Sequence, residues 1–246
     1  MKTIITLITL ILSHLAMAED MQNYLSETEE LAQEGKHKEA LERYIWFHDH
    51  ALEHQPSMYG VRLSFALSSW KRLADKYPSA MKAFKEIRDK KTKKLSGGNG
   101  NAAIFHDVVA LNRTLGDETK TITLFEAIAK MDPQLANDCW GIAKEAVFKE
   151  KRYDLAQQYV KSVAKEFDRV ESSYERNIKM YENPDMGGEQ FKEYNENRLV
   201  KEALQLIEVS LAIGKRDDAV AIQKRVLALV KDDRLIEAIP AKDSTK

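Results

Sequence analysis

The stretch FHDVVALNRTLGDETKTITLFEAIAKMDP, Phe105 to Pro133, decides the fold. It reads as two amphipathic helices joined at Gly116. Counted from that glycine, small Thr121 falls at +5, Phe125 at +9, Ile128 at +12 and Pro133 at +17. Each offset has a physical reason. The glycine takes the left-handed turn conformation after the first helix. The small residue lets the second helix approach the first, and the +9 and +12 residues sit one helical turn apart on the buried stripe. The proline blocks continuation of the second helix.

The same spacing recurs along the chain. Gly35 is followed by Ala40 and Tyr44, and the segment Ala51-Leu52-Glu53 leading to Pro56 fits the unit's ending with one helical turn added. A second copy has Tyr77, Ala80, Phe84 and Ile87, and a fourth has Trp140, Tyr153, Ala156, Val160 and Val163. The last has Gly214, Ala219 and Val226. Measured between Ala40, Ala80, Thr121, Ala156 and Ala219, the units are offset by 40, 41, 35 and 63 residues. A period of this size decides an architecture.

On these residues the chain resembles the tetratricopeptide repeat family. The carriers are Phe105, Val108, Gly116, Phe125 and Pro133, then Gly35, Ala40, Tyr44 and Pro56, then Trp140, Tyr153 and Ala156. The stretch from Trp46 to Trp70 is similar to a group of uncharacterised bacterial repeat proteins. The resemblance implies an all-α fold, a right-handed α-solenoid of about five irregular helix-turn-helix repeats over residues 19–240. It departs from the family's regular period, with a flexible connector at Ser96 to Asn101 and an inserted helical hairpin at residues 169–200. Asn101 is placed to cap the next helix. The hairpin turns at Asn183 to Gly188 and opens a long helix toward Ile213, sealing the end of the stack or folding back into its groove. Residues 241–246 read as a frayed polar tail.

Composition agrees. With 10 Gly and 5 Pro in 246 residues there are too few turn residues for an all-β sandwich. A hydrophobic fraction of 43% beside 31% charged excludes disorder, and a single cysteine excludes a disulfide scaffold. A formal charge of −1 supplies no global field for nucleic acid.

Residues 1–18 differ from the rest: Lys2 is the only charge, Ile4 to Leu12 form an apolar run, and Ala16-Met17-Ala18 precedes Glu19-Asp20. This is the pattern of a secretory signal cleaved near Ala18, with an apolar run too short to span a bilayer. It predicts an exported protein, periplasmic or extracellular, without a transmembrane anchor after cleavage, and its removal takes the charge to −2. Cys139 then has no intramolecular partner and is expected to be buried beside Trp140.

Few constellations carry chemistry. His48, His50 and His54 share one helix, and the last two have the four-residue spacing of a helical metal site, with Asp49 and Glu53 interleaved. A fortuitous solvated face explains the cluster as well. The loop Gly97-Gly98-Asn99-Gly100 lacks the strand and the Lys-Ser/Thr of a phosphate loop and reads as a linker. The run Lys82, Lys85, Arg88, Lys90, Lys91, Lys93 and Lys94 is a docking patch for an acidic partner or a solvated face. Asn112-Arg113-Thr114 matches a glycosylation acceptor but falls within a helix. No nucleophile elbow or dinucleotide fingerprint is present in the sequence.

The expectation is a non-catalytic scaffold that binds another protein or peptide in its concave groove, with no cofactor implied. The oligomeric state stays open. The family's groove-facing spacing places Arg62, Phe65, Ser69 and Arg72 there from the second repeat, His106 and Arg113 from the third, and Glu145, Phe148 and Lys149 from the fourth. The alternative is a periplasmic metal- or small-ligand-binding protein using His48, His50 and His54.

Overall fold

The computed structural model describes residues 20–160, 162–181 and 188–240. The leader at 1–18, most of the turn at 183–188 and the tail at 241–246 lie outside the described residues. Among the described residues there are thirteen α-helices, a 3-10 turn at Pro56–Met58 and no strand. The chain divides into two compact units, residues 1–143 and 144–246.

The first unit opens with α1 (Met21–Gln33), α2 (His37–His54) and the short α3 (Tyr59–Arg62). It continues through α4 (Phe65–Ala74), α5 (Pro78–Ser96), α6 (Ala102–Leu115) and α7 (Glu118–Met131) into most of α8 (Pro133–Lys149). From α1 to α7 the longer helices pack on their neighbours in sequence, and α2 on α4, α4 on α6 and α5 on α7 as well. The residues that define the sequence spacing are those that make these contacts. Ala40, Ala80 and Thr121 are buried, as are Tyr44, Phe84, Phe125 and Ile128. Trp70 is the centre of the first half, 6.3 Å from the Tyr44 ring and 4.9 Å from the Phe84 ring. Burying side chains of this size contributes about 2–3 kcal/mol each before entropy is counted.

The turn chemistry follows the same logic. Gly35, Gly116 and Gly214 have φ of 82°, 74° and 76°. After Gly116 the chain closes a Schellman turn: the Gly116 amide donates to the Arg113 carbonyl at 3.1 Å and the Asp117 amide to Asn112 at 2.8 Å. Asn101 accepts from the Ile104 amide at 3.0 Å and so caps α6. Pro133 is the first residue of α8, where its missing amide donor costs nothing.

Two features differ from the simple helix-turn-helix reading. The segment from Tyr59 to Ala74 is broken at Leu63 and Ser64, where Ser64 leaves helical backbone at φ −131°, ψ −85°. The Ser64 hydroxyl donates back to the Gly60 carbonyl at 2.7 Å, which holds the break. The fourth unit has a turn without a glycine. Lys151 sits at φ 53°, and the Arg152 amide donates to the Val147 carbonyl at 2.9 Å in the same Schellman pattern.

The second unit takes the end of α8, then α9 (Tyr153–Tyr159), α10 (Val163–Tyr181), α11 (Glu189–Ala212), α12 (Arg216–Leu227) and α13 (Asp233–Glu237). Helices α10, α11 and α12 pack on one another, with α9 and α13 against α11. Residues 169–200, where a hairpin is expected, fall on α10 and the start of α11. The two run antiparallel, joined by Asn177 donating to Asn195 at 2.6 Å and Arg198 to Ser173 at 2.6 Å. These residues form part of the body of the unit. No helix among the described residues is long and apolar enough to cross a membrane.

Candidate functional site

Four of the expected groove residues come together on the first unit. Arg62, at the end of α3, is buried and forms an ion pair with Asp107 of α6, while its other terminal nitrogen donates to the His48 carbonyl of α2 at 3.0 Å. Lys91 of α5 reaches the same carboxylate at 2.6 Å. Four helices therefore meet at one ionic junction. Burial would push the Asp107 carboxyl up, but hydrogen bonds from Arg62 and Lys91 outweigh it and hold the group below its ordinary value. A buried pair of this kind locks register and is costly to break from one side.

The junction has an exposed rim. His106, beside Asp107 in sequence, shares a hydrogen bond of 2.8 Å with the Tyr59 hydroxyl. Burial, then the nearby cations, hold the His106 pKa below its usual value, against the pull of Asp107. Arg113, two turns along α6, donates to the Leu63 carbonyl at 3.2 Å and so bridges α6 to the helix break. Immediately after that break Phe65 is 72% exposed, and Tyr59 is 39% exposed. The rim thus presents two aromatic rings, an imidazole and a guanidinium with no carboxylate partner among the described residues.

The other expected residues are dispersed. Ser69 is buried, its hydroxyl bonded to Glu29 of α1 and accepting from Arg72 at 2.8 Å, and Arg72 approaches Glu29 at 3.6 Å. In the second unit Phe148 is buried, Lys149 is exposed, and Glu145 pairs with Lys201 of α11 at 2.9 Å.

The three histidines of α2 do not converge. His48 turns inward against Trp70, with ring centroids 6.3 Å apart and neither ring nitrogen hydrogen-bonded. His50 and His54 flank Trp46 at 5.5 and 5.2 Å, and His50 bonds Glu53 at 3.1 Å. No group of three metal-ligating side chains is found among the described residues. Cys139 is buried, and its thiol is pushed up to about 12 by burial and then by Asp138 and Asp132, so it holds no thiolate near neutrality.

Sequence reading missed Tyr59, Asp107 and Glu29, and placed Lys91 in the basic run, whereas it pairs with Asp107. Asp107 left the one usable signal, an acid directly between His106 and Val108 on the apolar side of α6. Comparison with protein-family models, with curated proteins and with solved structures gives no match for this chain.

Proposed function

We propose that the chain is an exported, tetratricopeptide-like right-handed α-solenoid of about five irregular repeats that binds a protein or peptide partner and performs no chemistry of its own. The recurring turn spacing and the packing of sequence-neighbouring helices from α1 to α7 support the repeat reading. The leader pattern supports export, with the mature chain beginning at Glu19 in the periplasm or outside the cell.

One observation carries the binding reading: Phe65 is 72% exposed two residues after the Leu63 carbonyl that Arg113 engages, and the Tyr59–His106 pair borders the same ionic junction. Aromatic and arginine side chains dominate the energetics of protein interfaces, and a fixed backbone reduces what ordering costs on association. A photo-crosslinking amino acid at position 65, in cells expressing the protein, tests it. A discrete adduct is expected, and Arg113→Glu should abolish it. An adduct pattern identical to that from a probe at exposed Ala127 on α7 would refute the reading. Intact mass of the exported protein checks the leader, and a retained Met1 would refute cleavage.

A further inference from the structure

The first unit carries two charged stripes of opposite sign on helices that do not pair with each other. Residues 20–55 hold nine acids against three bases, and residues 78–96 hold seven bases against two acids. On α2, Glu39, Glu42, Asp49 and Glu53 are all exposed and recur at steps of three and four with half-buried Trp46 between them. They therefore lie along one strip of the helix, about 21 Å long at the helical rise of ~1.5 Å per residue. On α5, exposed Lys82, Lys85, Lys90, Lys93 and Lys94 cover about 18 Å by the same rise. Among the described residues, only Lys82 of these has an acid in reach, Glu86 at 3.8 Å. Both helices pack against α4, and no ion pair among the described residues joins α2 to α5.

We propose that the partner of each stripe is the opposite stripe of a second copy, α2 of one chain lying along α5 of the other. The occupant follows from complementarity. The stripes match in length and oppose in sign, and each chain offers one of each, so a two-fold arrangement satisfies both at once. The exposed cations of α5 complement an acidic surface, and the chain itself supplies one of the right extent. Because the pairs are exposed, the association is weak and is screened by salt.

Sedimentation velocity of the purified protein at about 20 mM and about 500 mM salt reads this directly, since the screening length falls several-fold between them. A concentration-dependent dimer is expected at low salt and a monomer at high salt. Reversal of the basic stripe (Lys85→Glu, Lys90→Glu, Lys93→Glu) or of the acidic one (Glu39→Lys, Glu42→Lys, Asp49→Lys) should each weaken self-association about tenfold or more. An equimolar mixture of the two variants should dimerise again, because one reciprocal contact keeps its native sign and the other is restored with swapped sign. All six side chains are exposed or rim positions, and helicity by circular dichroism verifies folding. Glutamine replacements serve in place of any reversal that unfolds. A parent that stays monomeric at low salt, unchanged association of the variants, or a mixture that remains monomeric overturns the proposal. So does a monomer whose α5 lysines instead carry it onto phosphatidylglycerol vesicles.

Discussion

Lys151 occupies backbone that costs an L-residue about 1–2 kcal/mol in the left-handed region, at φ 53°. It stands five residues before Ala156, where Gly35, Gly116 and Gly214 stand before Ala40, Thr121 and Ala219. Lys151→Gly should therefore stabilise the second unit by about 0.5–1 kcal/mol, the relief of strain less the added freedom of the unfolded chain. Its exposed pair with Glu208 at 3.0 Å is too solvated to reverse the sign. The reverse change, Gly116→Ala, should cost about 1 kcal/mol or more. Urea midpoints for both variants check the pair. His48 makes a second prediction at this scale. Burial, reinforced by the fields of Arg62 and Lys91, lowers its pKa from 6.5 to about 3, so the folded chain keeps it neutral. The unfolded chain takes up a proton near 6.5. Stability is therefore full above that pH and falls as the pH drops toward 3, by about 1.4 kcal/mol per pH unit from this group. His48→Phe leaves no buried ring nitrogen and should flatten the decline between about pH 6 and pH 4. Equal acid sensitivity in the variant and the parent would show that other groups cause it.

At the scale of elements, the ends of α6 and α7 are specified redundantly, by Asn101, Gly116 and Pro133. Asn101→Ala should cost about 1 kcal/mol, since the Ile104 amide loses its acceptor. A thermal midpoint lowered by several degrees would register it, and no change would mean that solvent caps the helix equally well. These elements were legible in sequence because their signals are local: a glycine, a small residue and an aromatic at fixed offsets report contacts within one helical pair. The break at Ser64 was not legible. Neither Gly nor Pro marks it, and the apolar periodicity continues on both sides. That break decides the site, because it turns Arg62 and Ser69 inward while Phe65 and Arg72 remain outside. The family's groove-facing spacing had put all four in the groove. The junction of Arg62, Lys91 and Asp107 was hidden for another reason. Its members lie 16 and 45 residues from Asp107, and no spacing rule links residues on different helices. The turn at Lys151 was missed because its residue type contradicts its conformation.

For the molecule as a whole, connectivity within each unit determines how stability is shared. From α1 to α7 the longer helices of the first unit pack on the next in sequence, and several on the next but one, so the contacts join elements close in sequence. Stability in such an arrangement approximates a sum of local contributions and nearest-neighbour interfaces. A core deletion should then act regionally. Phe84→Ala removes a fully buried ring from α5 at a cost of about 3–5 kcal/mol. Hydrogen exchange should show protection falling most in α4, α5 and α6, the helices packed around that ring, and least in α1. Leu199→Ala in α11, also fully buried, should lower protection chiefly in α10, α11 and α12. Sub-global opening of this kind appears as separate exchange classes within one chain. If Phe84→Ala instead lowered protection equally from α1 to α7, the ionic junction would be the better explanation of cohesion in the first unit. It ties α2, α3, α5 and α6 at a single point and would transmit the loss through all of them. Removing the junction's acid as well, with Asp107→Asn in the Phe84→Ala background, would separate the two. Regional loss should persist if neighbour packing dominates, and a uniform footprint should become regional if the junction had been the conductor.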